Sequence, residues 1–245
     1  MREAVNFCPA KVDLSELRVG YVPAHMGEGC SSEVAASVRA QIDALRGLGA
    51  SIVEIEMPMS AYVVQVYYVL ATSEASSNLS RFDGIRYGHR SEKADLDVIA
   101  LYHASRGEGF GEEVKRRIML GTFALSAGYQ DAYFKRAMKV RALITQEFEQ
   151  AFAQCDVLLG PTAPTTAFGI GEVSDDPLAM YLNDIYTIGS NLAGHPSISI
   201  PCGFDAKGLP IGLQLQSALG SDGALFDIAE AIEESIKLEA RSPAI

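Results

Sequence analysis

Positive charge is in short supply in this chain. Its 245 residues carry 20 Lys and Arg against 31 Asp and Glu, a formal net charge of −11. Phosphate contacts need clustered Lys and Arg, so an acidic chain is a poor solo binder of nucleic acid. Cysteine is sparse too. Cys8, Cys30, Cys155 and Cys202 include no pair in C-x-x-C spacing, which argues against a zinc site or a dithiol redox motif. Nothing in Met1–Asp13 reads as a signal peptide, so reduced thiols in the cytoplasm are the expectation. Apolar runs are broken by polar residues well before the ~18 positions a membrane helix needs, so no span is expected. Of His25, His89, His103 and His195, no two have metal-ligand spacing. No serine lies in a G-x-S-x-G elbow, which removes the usual signal for a Ser/His/Asp hydrolase.

What remains is ample material for a packed core, with 48% of residues hydrophobic. Leu17–Pro23 reads as a buried strand. A helix follows, capped by Ser31 or Ser32, with Val34, Val38, Ile42 and Leu45 on one apolar face and Gly47 and Gly49 at its end. In Ile52–Met57 apolar residues alternate with Glu54 and Glu56, as in a strand with one wet face. Strand, helix and strand make a βαβ unit, and such units build parallel pairs. Further on, the pattern predicts helices over 61–79, 95–105, 113–126, 132–152 and 178–192, with a glycine-rich loop over 106–111. Strands are predicted over 157–159, 197–200 and 211–216, and Ser221 caps a last helix reaching Leu238. The expectation is one α/β domain over 1–245, with loose ends at 1–13 and 239–245.

Four stretches carry a specific resemblance. They are EASSNLSRFDGIRYGHR (74–90), GFGEEVKRRIMLGTFALSAGYQDAYFKRAMKVR (109–141), DVLLGPTAPTTAF (156–168) and NLAGHPSISIPCG (191–203). From about Leu14 to about Leu238 the chain resembles the C-terminal half of the A subunits of glutamyl-tRNA(Gln)/aspartyl-tRNA(Asn) amidotransferases, members of the amidase-signature family. The resemblance implies a mixed twisted sheet flanked by helices, part of an α/β/α sandwich. It also implies a glutaminase that supplies ammonia for amidation of mischarged tRNA.

An amide is a poor electrophile, so a serine that attacks one needs an activating base and an oxyanion hole. The family supplies these from a Lys-Ser-Ser triad in a GGS-S/T segment, and no such segment occurs in this sequence. Ser76-Ser77 lacks flanking glycines, and helix capping explains Ser31-Ser32 and Ser221. No catalytic residue is therefore assigned, and the chain by itself is expected to be inactive. Glutamine carries an α-carboxylate and an α-ammonium, which call for a guanidinium fork and an acid. The resemblance places these roles on Arg117, in Lys115-Arg116-Arg117-Ile118, and on Asp184, in Asn183-Asp184-Ile185. A pocket tyrosine maps onto Tyr68. The bland readings are a solvated basic helix face that includes Arg116, an ordinary surface acid, and a core tyrosine beside Tyr67. His195, between Gly194 and Pro196, is read as a structural or backbone-capping residue.

By the same resemblance this chain binds no metal or cofactor, and ATP and magnesium belong to a partner subunit. Expected partners are the B- and C-type subunits and the N-terminal half, with tRNA reached through them. An unpaired strand edge and an apolar face would also favour self-association of the isolated chain. Two alternatives stay open: a non-catalytic assembly module, or half of another amidase of the same family. Gln130, where the family carries an aromatic after Tyr129, is the visible departure.

Overall fold

A computed structural model describes residues 10–172 and 177–238. The expected loose tail 239–245 lies outside these residues, as do positions 1–9 with Cys8 and positions 173–176. In chain order the elements are β1 (Arg18–Tyr21), α1 (Ser32–Gly47), β2 (Ser51–Glu54), α2 (Val63–Asn78), α3 (Val98–Gly109), α4 (Glu112–Leu125) and α5 (Phe134–Gln154). They continue with β3 (Val157–Pro161), α6 (Pro177–Leu182), α7 (Ile188–Ala193), β4 (Ser197–Phe204), β5 (Pro210–Gln216) and α8 (Asp222–Ile236). The chain divides into two compact units. One joins Met1–Val64 to Ala142–Ile245, and the other is Gln65–Arg141.

The first unit holds one five-stranded sheet among the described residues, in the order β2-β1-β3-β5-β4. β1 lies parallel to β2 and to β3, as the βαβ reading requires, whereas β5 runs antiparallel to both β3 and β4. The fold is thus α/β with a mixed sheet, as the sequence predicts. Strand periodicity sorts the side chains cleanly. Val19, Val157, Leu159, Ile200, Leu213 and Leu215 point to one face, where they meet Val34, Val38, Ile42 and Leu45 of α1 and Leu225, Ile228 and Ile232 of α8. These are the positions whose helical spacing marked an apolar stripe. Ser31 starts α1 as expected, its hydroxyl accepting from the Val34 amide at 3.3 Å.

Several predicted boundaries moved, each for a local reason. The glycine-rich stretch 106–111 is not a loop, because α3 runs on to Gly109. Glycine costs a helix about 1 kcal/mol per residue, and here tertiary contacts outweigh that. Arg106 Nη1 donates to the carbonyls of Leu79 (2.7 Å) and Phe82 (2.9 Å), and Glu108 accepts from Ser91 Oγ and pairs with His89 and Lys93. A side chain at 109 would press on His89, whose Cβ and ring lie 3.0 to 3.4 Å from where a Cβ would stand.

The helix predicted over 178–192 is two helices. The amides of Asp184 and Ile185 turn back three residues, to Tyr181 and Leu182, and the Thr187 amide and hydroxyl both bind the Asp184 carbonyl. The Thr187 hydroxyl offers the backbone a local alternative to the helical ladder, and its β-branched side chain lowers helix propensity further. β4 passes through Pro201 instead of stopping at Ile200, with an irregular register at Pro201/Gly203. A proline without an N–H is tolerated there because β4 is the edge strand. Ser221 stands at the start of α8 without capping it, since its hydroxyl donates to Ser217 Oγ or to the Ala218 carbonyl.

The second unit, Gln65–Arg141, is helical among its described residues. α4 exposes Met119, Leu120 and Phe123, and the Phe123 ring gathers Tyr129 at 4.4 Å and Tyr133 at 5.7 Å between centroids. All three aromatic rings remain partly open to solvent.

Candidate functional site

Tyr68 and Arg117 both lie in the helical unit, on α2 and α4. Their meeting follows from a close helix crossing one turn further along. Gly121 has no side chain, and a Cβ there would overlap the Thr72 carbonyl oxygen and stand 2.8 Å from Ser76 Cβ. Arg117 precedes Gly121 by four residues and Tyr68 precedes Thr72 by four. Helix geometry therefore stacks the two pairs along the same seam. The Arg117 guanidinium carbon sits 5.6 Å from the centre of the Tyr68 ring, within cation–π range. Tyr67 meets Tyr68 edge-on, with ring centroids 5.2 Å apart at 88°.

Arg117 is half-buried and is held by its own helix. Its Nε donates to Glu113 Oε1 at 2.9 Å, while Arg116 Nη1 takes Oε2 of the same carboxylate at 2.6 Å. The Glu113 hydrogen bond raises the guanidinium pKa further, against the opposing effect of burial. The terminal nitrogens of Arg117 make no hydrogen bond or ion pair among the described residues. Arg116 is exposed, so of the two adjacent arginines it is Arg117 that meets an aromatic ring.

Asp184 lies in the other unit, exposed in the turn between α6 and α7. Its carbonyl anchors α7 by accepting from Thr187 and Ile188, and its carboxylate has no hydrogen-bond or ion-pair partner among the described residues. Tyr68 and Arg117 are thus brought together within one unit, and Asp184 belongs to the second.

Among the described residues no serine hydroxyl is hydrogen-bonded to a lysine ammonium or an imidazole. The serine hydroxyls instead bind carbonyls, other hydroxyls, backbone amides, the Cys202 thiol, or the carboxylates of Asp13 and Glu108. His195 is not a backbone cap. It is wedged edge-on against Phe148 (4.1 Å) and Phe152 (5.2 Å), with both ring nitrogens buried and unpaired. Burial lowers its pKa.

Sequence reasoning passed over a small cavity in the sheet-bearing unit, on the face opposite the main core. It measures about 30 Å³, room for one or two waters, and its mostly apolar wall includes His25, Ser60, Glu147, Tyr186, Gln214 and Gln216. Burial drives the His25 pKa down to about 4 and raises that of Glu147, whose carboxylate accepts from the Met59 amide. The signal available beforehand was the Gln214–Gln216 pair, polar residues alternating with Leu213 and Leu215 in a strand buried on both faces.

A mixed sheet packed on one side by α1 and α8, together with a helical unit in which a guanidinium is seated on an aromatic ring, defines an α/β fold. The profile of the Amidase family matches residues 5–226, and this chain belongs to that family. Over 235 residues it is 52% identical to the glutamyl-tRNA(Gln) amidotransferase A subunit of Thermoanaerobacter pseudethanolicus, covering 96% of this chain and 48% of that protein. The protein of the same name from Thiobacillus denitrificans is 54% identical, with 94% and 47% covered. The chain therefore spans about half the length of the curated relatives it matches. Among solved structures, the glutamyl-tRNA(Gln) amidotransferase A subunit from Thermotoga maritima superposes with a TM-score of 0.69 at 40% identity, over 91% of this chain and 43% of that one. A structure described as an amidase gives 0.70 at 24% identity, over 93% and 47%, and shares the fold. No helix among the described residues is long and apolar enough to cross a membrane.

Proposed function

We propose that this chain is the glutamine-holding part of a tRNA-dependent amidotransferase. Arg117 takes the α-carboxylate of glutamine, Tyr68 forms a wall beside it, and Asp184 takes the α-ammonium. The serine that attacks the side-chain amide comes from outside this sequence. Ammonia passes to a B-type subunit, which uses ATP and magnesium and holds the mischarged tRNA in the cytoplasm, with a C-type subunit in the assembly. The observation that carries this reading is the guanidinium held over Tyr68, its terminal nitrogens making no hydrogen bond among the described residues. A fork in that state suits a carboxylate in a two-bond geometry. The exposed Met119, Leu120 and Phe123 and the edge strand β4 are surfaces that another polypeptide would cover.

Part of a pocket binds weakly, so millimolar affinity is expected, about −4 kcal/mol. Titrating the purified chain with L-glutamine by isothermal calorimetry, and following the arginine side-chain NMR signals in parallel, checks this. L-Glutamine should shift the Arg117 signal, Arg117→Ala should abolish binding, and Asp184→Ala should weaken it. Equal binding in wild type and Arg117→Ala would remove the reading.

A further inference from the structure

We propose that Glu113 is a positioning residue, which aims the Arg117 fork at the ligand carboxylate. The inference rests on the glutamine reading above and deepens it. A guanidinium offers two ways to grip a carboxylate in two bonds: side-on through Nε and one terminal nitrogen, or end-on through both terminal nitrogens. Glu113 Oε1 occupies Nε at 2.9 Å, which closes the side-on route and leaves the end-on fork. The Tyr68 ring beneath the guanidinium covers one of its faces. A ligand carboxylate is then steered into the guanidinium plane, at the end away from Glu113.

The second oxygen of Glu113 is engaged as well, by Arg116 Nη1 at 2.6 Å. Spacings of three and four residues along α4 let one carboxylate hold both arginines. Two guanidinium groups and one carboxylate leave the cluster a net charge of +1, the complement of a single α-carboxylate. An arginine on its flexible stem loses much rotamer freedom when it binds, and a side chain already pinned at Nε has less to lose.

Positioning and plain electrostatics predict opposite signs for the same substitution. Removing an acid from beside a cation strengthens its attraction for an anion, so a purely electrostatic Glu113 would oppose carboxylate binding. A positioning Glu113 supports it. The purified 245-residue chain should be titrated with L-glutamine and with L-glutaminamide, which replaces the carboxylate by an amide. Isothermal titration calorimetry measures binding by every variant, the Arg117 Nε–H resonance, identified by its absence in Arg117→Lys, locates the ligand in the proteins that keep Arg117, and far-UV circular dichroism checks the helices of each variant.

Glu113→Ala should bind glutamine about tenfold more weakly. Glu113→Gln keeps an oxygen acceptor for Nε and should bind as well as wild type or better. L-Glutaminamide should leave the Arg117 resonance in place. Wild-type or tighter binding by Glu113→Ala, with binding still lost in Arg117→Lys, would overturn the role of Glu113 and leave the glutamine reading standing. A loss in Glu113→Gln as large as in Glu113→Ala would overturn it too. Undiminished binding by Arg117→Lys, equal binding of L-glutaminamide, or no response of the wild type to L-glutamine would remove the glutamine reading and this inference together.

Discussion

Gly121→Ala is expected to destabilise the helical unit by about 3 kcal/mol or more and to lower its melting temperature by about 12 °C or more. The reason is backbone against backbone. A Cβ at position 121 overlaps the Thr72 carbonyl, whose position is set by α2, so no side-chain rotation relieves the clash. Ser76 Cβ, 2.8 Å from the same point, closes the other escape. The helices must separate, and the Arg117–Tyr68 stack one turn away separates with them. Glycine in a helix interior is ordinarily a liability, and replacing it with alanine ordinarily gains about 1 kcal/mol. A reversal of that usual sign is therefore diagnostic of the close crossing. Thermal unfolding followed by far-UV circular dichroism measures it, and a Gly121→Ala protein melting at or above wild type would show that α2 and α4 do not approach this closely.

The second large effect is with pH. His25 is half-buried beside Tyr186, with ring centroids 5.3 Å apart, and desolvation lowers its pKa from 6.5 to about 4. The folded state thus binds fewer protons than the unfolded chain between those values. The stability contributed by neutral His25 is fully present above pH 6.5 and is lost as pH falls toward 4. Linkage gives a loss of about 2 kcal/mol by pH 5 and about 3 kcal/mol by pH 4. Buried His195, also shifted down, acts in the same direction. The lowered carboxylates Asp83 and Glu108, both near 2, lose their contribution only further into acid. Urea unfolding at pH 7.5 and pH 5 should show wild type weakening and His25→Phe weakening by about 2 kcal/mol less. Identical pH dependence in the two proteins would contradict a desolvated neutral His25.

Much of the sheet-bearing unit could be read in advance because its rules are local. The stripe Val34, Val38, Ile42, Leu45 and the cap at Ser31 follow from helix periodicity and terminus chemistry alone. So does the parallel β1–β2 pair, from strand, helix and strand in succession. The misreadings fell where distant residues decide. Gly107 and Gly109 look like loop formers until Arg106 and Glu108 are seen tied to the segment 79–93. The break between α6 and α7 turns on the Asp184 carbonyl, an interaction that composition does not reveal.

The site divides in the same way. Arg117, Tyr68 and Asp184 were reachable as residue types in family-like stretches, but the stack of Arg117 on Tyr68 was not. Gly121 acts through Thr72, forty-nine positions away in sequence, and periodicity carries no information at that range. Glu113 was closer to legible. An acid three and four residues before two arginines is a helix-pair signal, although only the geometry shows which guanidinium nitrogen it takes.

The most direct measurement is glutamate release by the purified chain at saturating glutamine, with binding followed in the same sample. The expected result is glutamine bound through Arg117 and glutamate no higher than in a protein-free control, because the proposed function assigns this sequence the grip on the amino acid and assigns the attacking serine to another polypeptide segment. Steady glutamate release by this polypeptide, abolished in Arg117→Ala, would contradict it.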